Sequence, residues 1–102
     1  MTMIKHIILW KIDDKFTAEE KAKIADGAKA ALCGLVGKVP GLIEVKVQTE
    51  KLDSSNADLM LDSTLESIDA LKGYQVHPDH VAAADNFVRP FMSQRLCLDF
   101  EA

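Results

Sequence analysis

From Met3 to Ile12 the chain alternates two sets of residues, Ile4, His6, Ile8, Trp10 and Ile12 against Met3, Lys5, Ile7, Leu9 and Lys11. A period of two predicts a strand, and the first set is its more apolar face. Thr17-Ala18-Glu19-Glu20 is a capping box, with Thr17 as N-cap and Glu20 reaching back to its amide, so a long helix starts there. Its buried stripe is Ile24, Ala28, Ala31, Leu32 and Leu35, and Gly34, Gly37 and Pro40-Gly41 bring it to an end. Alternation resumes over Leu42 to Glu50, with Ile43, Val45 and Val47 on one side and Glu44, Lys46 and Gln48 on the other. Asp53-Ser54-Ser55-Asn56 supplies a turn, and Ala57 to Thr64 gives a third strand with Leu59 and Leu61 inward. Strands joined this closely pair as an antiparallel hairpin. A short helix with Ile68 and Leu71 inward leads to Tyr74, and a further helix after His77-Pro78 carries Val81, Ala84, Val88 and Phe91 on one face. Arg89-Pro90 marks its end, and Arg95 to Glu101 alternates as the last strand.

The order strand, helix, strand, strand, broken helix, strand predicts an α+β chain of the ferredoxin-like βαββαβ type, one domain over residues 1–102. Its four-stranded antiparallel sheet has helices over one face. The opposite face is expected to mix Lys5, Lys11, Glu44, Lys46, Asp58, Asp62, Arg95 and Asp99 with Ile7, Leu9 and Met60. Such a face fits either a solvated sheet with cross-strand charge pairs or a partly polar dimer interface.

Composition narrows the function classes. Twelve Lys and Arg stand against 16 Asp and Glu, a net charge of −4, and no basic stripe is available for phosphates, which argues against a nucleic-acid partner. Apolar runs are short and interrupted, so no membrane association is expected, and the N-terminus lacks a signal pattern; a cytoplasmic protein is the expectation. Cys33 and Cys97, far apart and without metal-ligand spacing, are expected to be buried, reduced structural cysteines.

The densest chemistry lies in Tyr74-Gln75-Val76-His77-Pro78-Asp79-His80. Proline is favoured at the first helical position, which makes His77 the N-cap and puts His80 in the first turn. There the positive end of the helix dipole disfavours an imidazolium, so His80 is expected to stay neutral and able to accept a proton. His80, Ala84, Phe87 and Phe91 run along the edge of the apolar stripe, which points the imidazole toward the sheet. His6, between Ile4 and Ile8, lies on the sheet face the helices cover; a lone histidine there reads as a core residue, but beside Tyr74 and His80 it reads equally as a third polar group on an apolar pocket. Ile8, Trp10, Phe87 and Phe91 are the expected apolar lining, although Trp10 by itself is most simply core. The rival use of the cluster, a metal held by His77, His80 and Asp79, is set aside because helix capping already accounts for His77; neither metal nor cofactor is expected.

The chain also resembles the stress-responsive α/β-barrel proteins, the Dabb family, over essentially its whole length. The resemblance rests on Ile4-Lys5-His6-Ile7-Ile8-Leu9-Trp10-Lys11, Val39-Pro40-Gly41-Leu42, Tyr74 to His80 and the ending Leu98-Asp99-Phe100. It implies a dimeric α+β barrel, in which the sheets of two ferredoxin-like subunits pack face to face. Some members are stress-induced proteins, and the plant polyketide cyclases of the family close a linear poly-β-ketone by an aldol step. In that branch a Tyr and the second His of the His-Pro-x-His motif serve the chemistry, matching Tyr74 and His80, and a strand His matches His6. Two positions depart from the branch: Leu65 stands where an aromatic is common, and Leu59 and Leu61 leave the third strand without a second imidazole.

Three functional readings follow. The first is a homodimer that binds a small apolar or carbonyl-containing molecule between helices and sheet. The second is a cofactor-independent cyclase or isomerase with His80 as general base and Tyr74 as hydrogen-bond donor to a developing enolate. The third is a non-catalytic structural stress protein in which His6 and His80 are hydrogen-bonded framework residues.

Overall fold

In the computed structural model, which describes residues 2–102, the elements follow as β1 (Ile4–Ile12), α1 (Ala18–Cys33), β2 (Leu42–Gln48), β3 (Leu59–Leu65), α2 (Ile68–Val76), α3 (Pro78–Phe87), a 3-10 turn (Arg89–Phe91) and β4 (Met92–Glu101). The strands form one antiparallel sheet in the order β2-β3-β1-β4, the ferredoxin-like arrangement expected from the sequence. The long crossovers put β1 beside both β3 and β4, so residues at opposite ends of the chain become neighbours.

Local chemistry sets the element boundaries. Glu20 N–H donates to Thr17 Oγ1 at 3.1 Å and Thr17 N–H donates to Glu20 Oε1 at 2.9 Å, closing the capping box of α1. Gly41, at φ +81°, turns the chain into β2, and a Cβ there would lie 2.6 Å from the Cβ of Ala70. Only glycine suits both the backbone angle and this close approach of α2. His77 caps α3, its Nδ1 accepting from the Asp79 amide at 3.1 Å, with Pro78 at the first helical position.

The core lies between the helices and one sheet face. Ile4, Ile8, Trp10 and Ile12 of β1 and Leu59, Leu61 and Leu65 of β3 meet Ala25, Ala28, Leu32, Leu71 and Tyr74 from the helices. The alanines of α1 permit its close approach, as their spacing implied. Two apolar side chains depart from the expected pattern. Ile43 is 43% exposed because the β2–β3 register shifts between Leu42 and Glu44, turning Leu42 inward in its place. Ile68 is half exposed at the start of α2, leaving Leu71 and Tyr74 to make the contact.

The facing of β4 differs more consequentially. His6 pairs with Asp99, Ile8 with Cys97 and Trp10 with Arg95, so Arg95, Cys97 and Asp99 lie on the helix side of the sheet, not on the open side expected for Arg95 and Asp99. Leu96, Leu98 and Phe100 face the open side with Ile7 and Leu9, and Leu96 and Leu98 are 71% and 64% exposed. Alternation separates two sets but does not say which faces inward; pairing with β1 decides it. The open face therefore carries an apolar strip, Ile7 and Leu9 of β1 with Leu96, Leu98 and Phe100 of β4, beside charged positions on β2 and β3, and Lys5 of β1 reaches across to Asp62 of β3 at 2.6 Å. Cys97 is exposed and Cys33 half-buried, against the expectation of two buried thiols, because the helices do not extend over β4.

Candidate functional site

The β1 alternation carries His6 into the core at 2% exposure, and the His77-Pro78 helix start sets His80 in the first turn of α3. Between them stands Tyr74, in the last turn of α2 and wholly enclosed. The Tyr74 ring meets His6 edge-on with centroids 5.9 Å apart and lies 4.2 Å from the His80 ring, tilted by 41°. The three residues that the sequence singled out are thus brought together.

Their polar atoms are unequally satisfied. His6 Nδ1 hydrogen-bonds to the Asp99 carboxylate across the β1–β4 pair, with Cys97 Sγ 3.7 Å from the same nitrogen. A carboxylate only accepts, so Nδ1 carries the proton and the ring is held in one orientation. By contrast, Tyr74 Oη and His80 Nδ1 are buried with no hydrogen-bond partner among the described residues. Burial pushes the Tyr74 phenol up to about 12, so it remains a donor at neutral pH. Burial also lowers His80 from its ordinary value; the Gln75 backbone opposes this, and Arg89, His6 and Arg95 add to it. The direction is that expected of an imidazole in the first helical turn, but desolvation is the largest cause.

A cavity of about 240 Å³ opens between α3 and the β1–β4 pair. His6, Ile8, Trp10 and Leu61 line it from the sheet, His80, Ala84 and Val88 from α3 and the residue beyond, and Arg89, Met92 and Arg95 near the mouth. Ile8 and Trp10 are where the sequence put them. Phe87 and Phe91 lie elsewhere: Phe87 is 45% exposed and packs near Gly27 of α1, and Phe91 meets Phe16 edge-on with centroids 5.8 Å apart. The helix ends at Phe87 and Phe91 falls in the 3-10 turn, so the edge of the stripe through His80 and Ala84 does not continue through both rings. Tyr74 stands behind the two histidines and is not part of the lining.

Sequence reasoning missed Asp99 and Arg95 as members of the site. Neither carries a local signal, because each joins it only through the pairing of β4 with a strand some 90 residues earlier; Asp99 and His6 are 93 residues apart. His77, used as a cap, has Nδ1 4.0 Å from Asp79 Oδ2. The grouping of metal-ligating atoms is instead His6, Cys97 and Asp99, whose donor atoms lie within 4.8 Å of one another. No helix among the described residues is long and apolar enough to cross a membrane.

A family model described as the stress responsive A/B barrel domain, Dabb, matches residues 4–102. Olivetolic acid cyclase of Cannabis sativa is 27% identical over 100 residues, covering 95% of this chain and 94% of that protein. Among solved structures, a dimeric protein of ferredoxin-like fold from Bacteroides fragilis superposes with a TM-score of 0.91 at 30% identity, covering 98% of this chain and 96% of its own. A dimeric ferredoxin-like protein from Thermobifida fusca gives 0.80 at 26% identity, with 99% and 92% covered.

Proposed function

The chain belongs to the stress-responsive A/B barrel (Dabb) family, and from that premise we propose that it is a homodimeric small-molecule-binding protein whose ligand occupies the cavity beside His6 and His80. One observation carries the reading: His80, whose Nδ1 is buried without a partner, lines an apolar recess of about 240 Å³ together with His6. Leaving that nitrogen unpaired costs about 1–3 kcal/mol, a cost that a bound carbonyl compound able to hydrogen-bond to it would remove. The dimer is supported by the apolar strip Ile7, Leu9, Leu96, Leu98 and Phe100 on the open face and by relatives described as dimeric.

A second reading, catalysis, is favoured by the electrostatics of the same groups. Neutral His80, which lines the cavity, takes a proton from the carbon beside a carbonyl, and Tyr74, packed against its ring from behind, positions it. Asp99 accepts from His6 Nδ1 and fixes the orientation of that ring beside the cavity. Such a site suits aldol-type ring closure or isomerisation, in keeping with the cyclase named among the relatives. A framework role for His80, the third reading, finds less support, because a structural histidine normally has its buried nitrogens paired.

The test is a fragment screen by NMR with small ketones and 1,3-dicarbonyl compounds. Binding is expected to shift the Trp10 indole and the His6 and His80 ring signals, and His80→Ala should abolish it while the far-UV spectrum is kept. A screen in which no compound moves these signals would count against the pocket. For catalysis, α-proton exchange of a bound ketone in D2O should fall to the background rate in His80→Ala; unchanged exchange would remove His80 as the base.

A further inference from the structure

The cavity lining is opposite in charge to the chain as a whole. Sixteen Asp and Glu outnumber 12 Lys and Arg in the sequence, yet Arg89 and Arg95 line the cavity and no carboxylate does. The two arginines are not equivalent. Arg89 is neutralised by Asp85, 2.5 Å away one helical turn earlier. Arg95 has no carboxylate within ion-pairing distance among the described residues, and Asp99, on the same face of β4, is engaged with His6. The β1–β4 register sets Arg95 opposite Trp10, so a free guanidinium stands at the rim of an apolar recess.

A guanidinium binds a carboxylate through two parallel N–H donors, and more strongly at a low-dielectric apolar wall than in open water. The adjoining surface of Ile8, Trp10, Leu61 and Val88 offers nothing to a second charge. At about 240 Å³ the space falls below the ~300–1,000 Å³ of sites for drug-sized ligands, so it suits one ring or a short chain. Building on the pocket reading above, we propose that the ligand is a small organic carboxylate, its head on Arg95 and its hydrocarbon body on the Trp10 side of the cavity. Bound in this way, the molecule brings the carbons next to its head group within the compartment that His80 and His6 border.

Trp10 is the only tryptophan and lines the cavity, so its fluorescence reports occupancy directly. Hexanoate and cyclohexanecarboxylate are titrated against their carboxamides, which match them in size but carry no charge, at constant ionic strength into wild type, Arg95→Gln and Arg95→Lys. In wild type the acids should bind about tenfold or more tightly than the amides, the scale of a charge-assisted hydrogen bond. Arg95→Gln should erase that preference while leaving amide binding in place, and Arg95→Lys should restore part of it. Equal binding of acid and amide in wild type, or a preference that survives Arg95→Gln, overturns the carboxylate assignment and leaves the pocket reading standing. No response of Trp10 to any of the four compounds overturns both.

Discussion

Tyr74 buries its ring in the core but holds its hydroxyl there without a partner, so the hydroxyl adds nothing to stability. Tyr74→Phe is expected to leave the fold unchanged or stabilise it by up to about 1–2 kcal/mol in chemical denaturation. A destabilised variant would mean that the hydroxyl has a structural bond after all. His80 gives a pH signature with a definite sign. Its folded value lies below the unfolded value near 6.5, so the unfolded chain takes up the proton first. Stability contributed by neutral His80 is present above that value and is lost as pH falls from about 6.5 toward the folded value. The denaturation midpoint of His80→Gln should therefore depend less on pH below 6.5 than that of wild type. His77, three residues before His80, should behave differently: as a cap, it should tolerate His77→Asp within about 0.5 kcal/mol, with ligand binding retained.

At the scale of elements, the strands and helices were legible in the sequence because each has a local cause: alternation for β1 and β3, a capping box for α1, His-Pro for α3. The β2–β3 hairpin followed from their close spacing, and the ferredoxin-like class from the succession of elements. What was not legible is the inward choice of β4 and the shift that turns Leu42 inward in place of Ile43, both of which depend on which strand lies alongside. The site divides in the same way. His6, Tyr74 and His80 could be read from spacing, whereas Asp99 and Arg95 required the register of β4 against β1. Gly41 marks a junction where local and tertiary demands coincide, since both its φ and the packing of Ala70 exclude a side chain. Gly41→Ala should lower stability by about 1–3 kcal/mol in a denaturant titration, and loosen the placement of α2 that carries Tyr74.

At the scale of the molecule, the open sheet face is the surface on which the proposed dimer rests. Leu9, Leu96, Leu98 and Phe100 are between 39% and 71% exposed in the single chain and form a contiguous strip across the β1–β4 pair. Monomers rarely leave a contiguous apolar patch of any size in water. If the proposed dimer forms through this strip, light scattering should give a dimer mass for wild type and a monomer mass for Leu98→Lys; a monomeric wild type would overturn the dimer, and an unchanged dimer mass would place the interface elsewhere. The same strand lends Arg95 and Asp99 to the cavity. The β1–β4 register shifts between Lys11 and Ile12, leaving Ser93 without a partner of its own in the ladder. Deleting Ser93 would only make the ladder regular, since Met92 and Gln94 already pair with the consecutive residues Ile12 and Lys11, whereas sliding β4 by one residue along β1 would exchange its two faces: Arg95 and Asp99 onto the open side, Leu96 and Leu98 toward the cavity. The proposed pocket and the proposed partnership are thus written on alternate letters of a single strand, so a change of register would alter both together, and only substitution can tune one and spare the other.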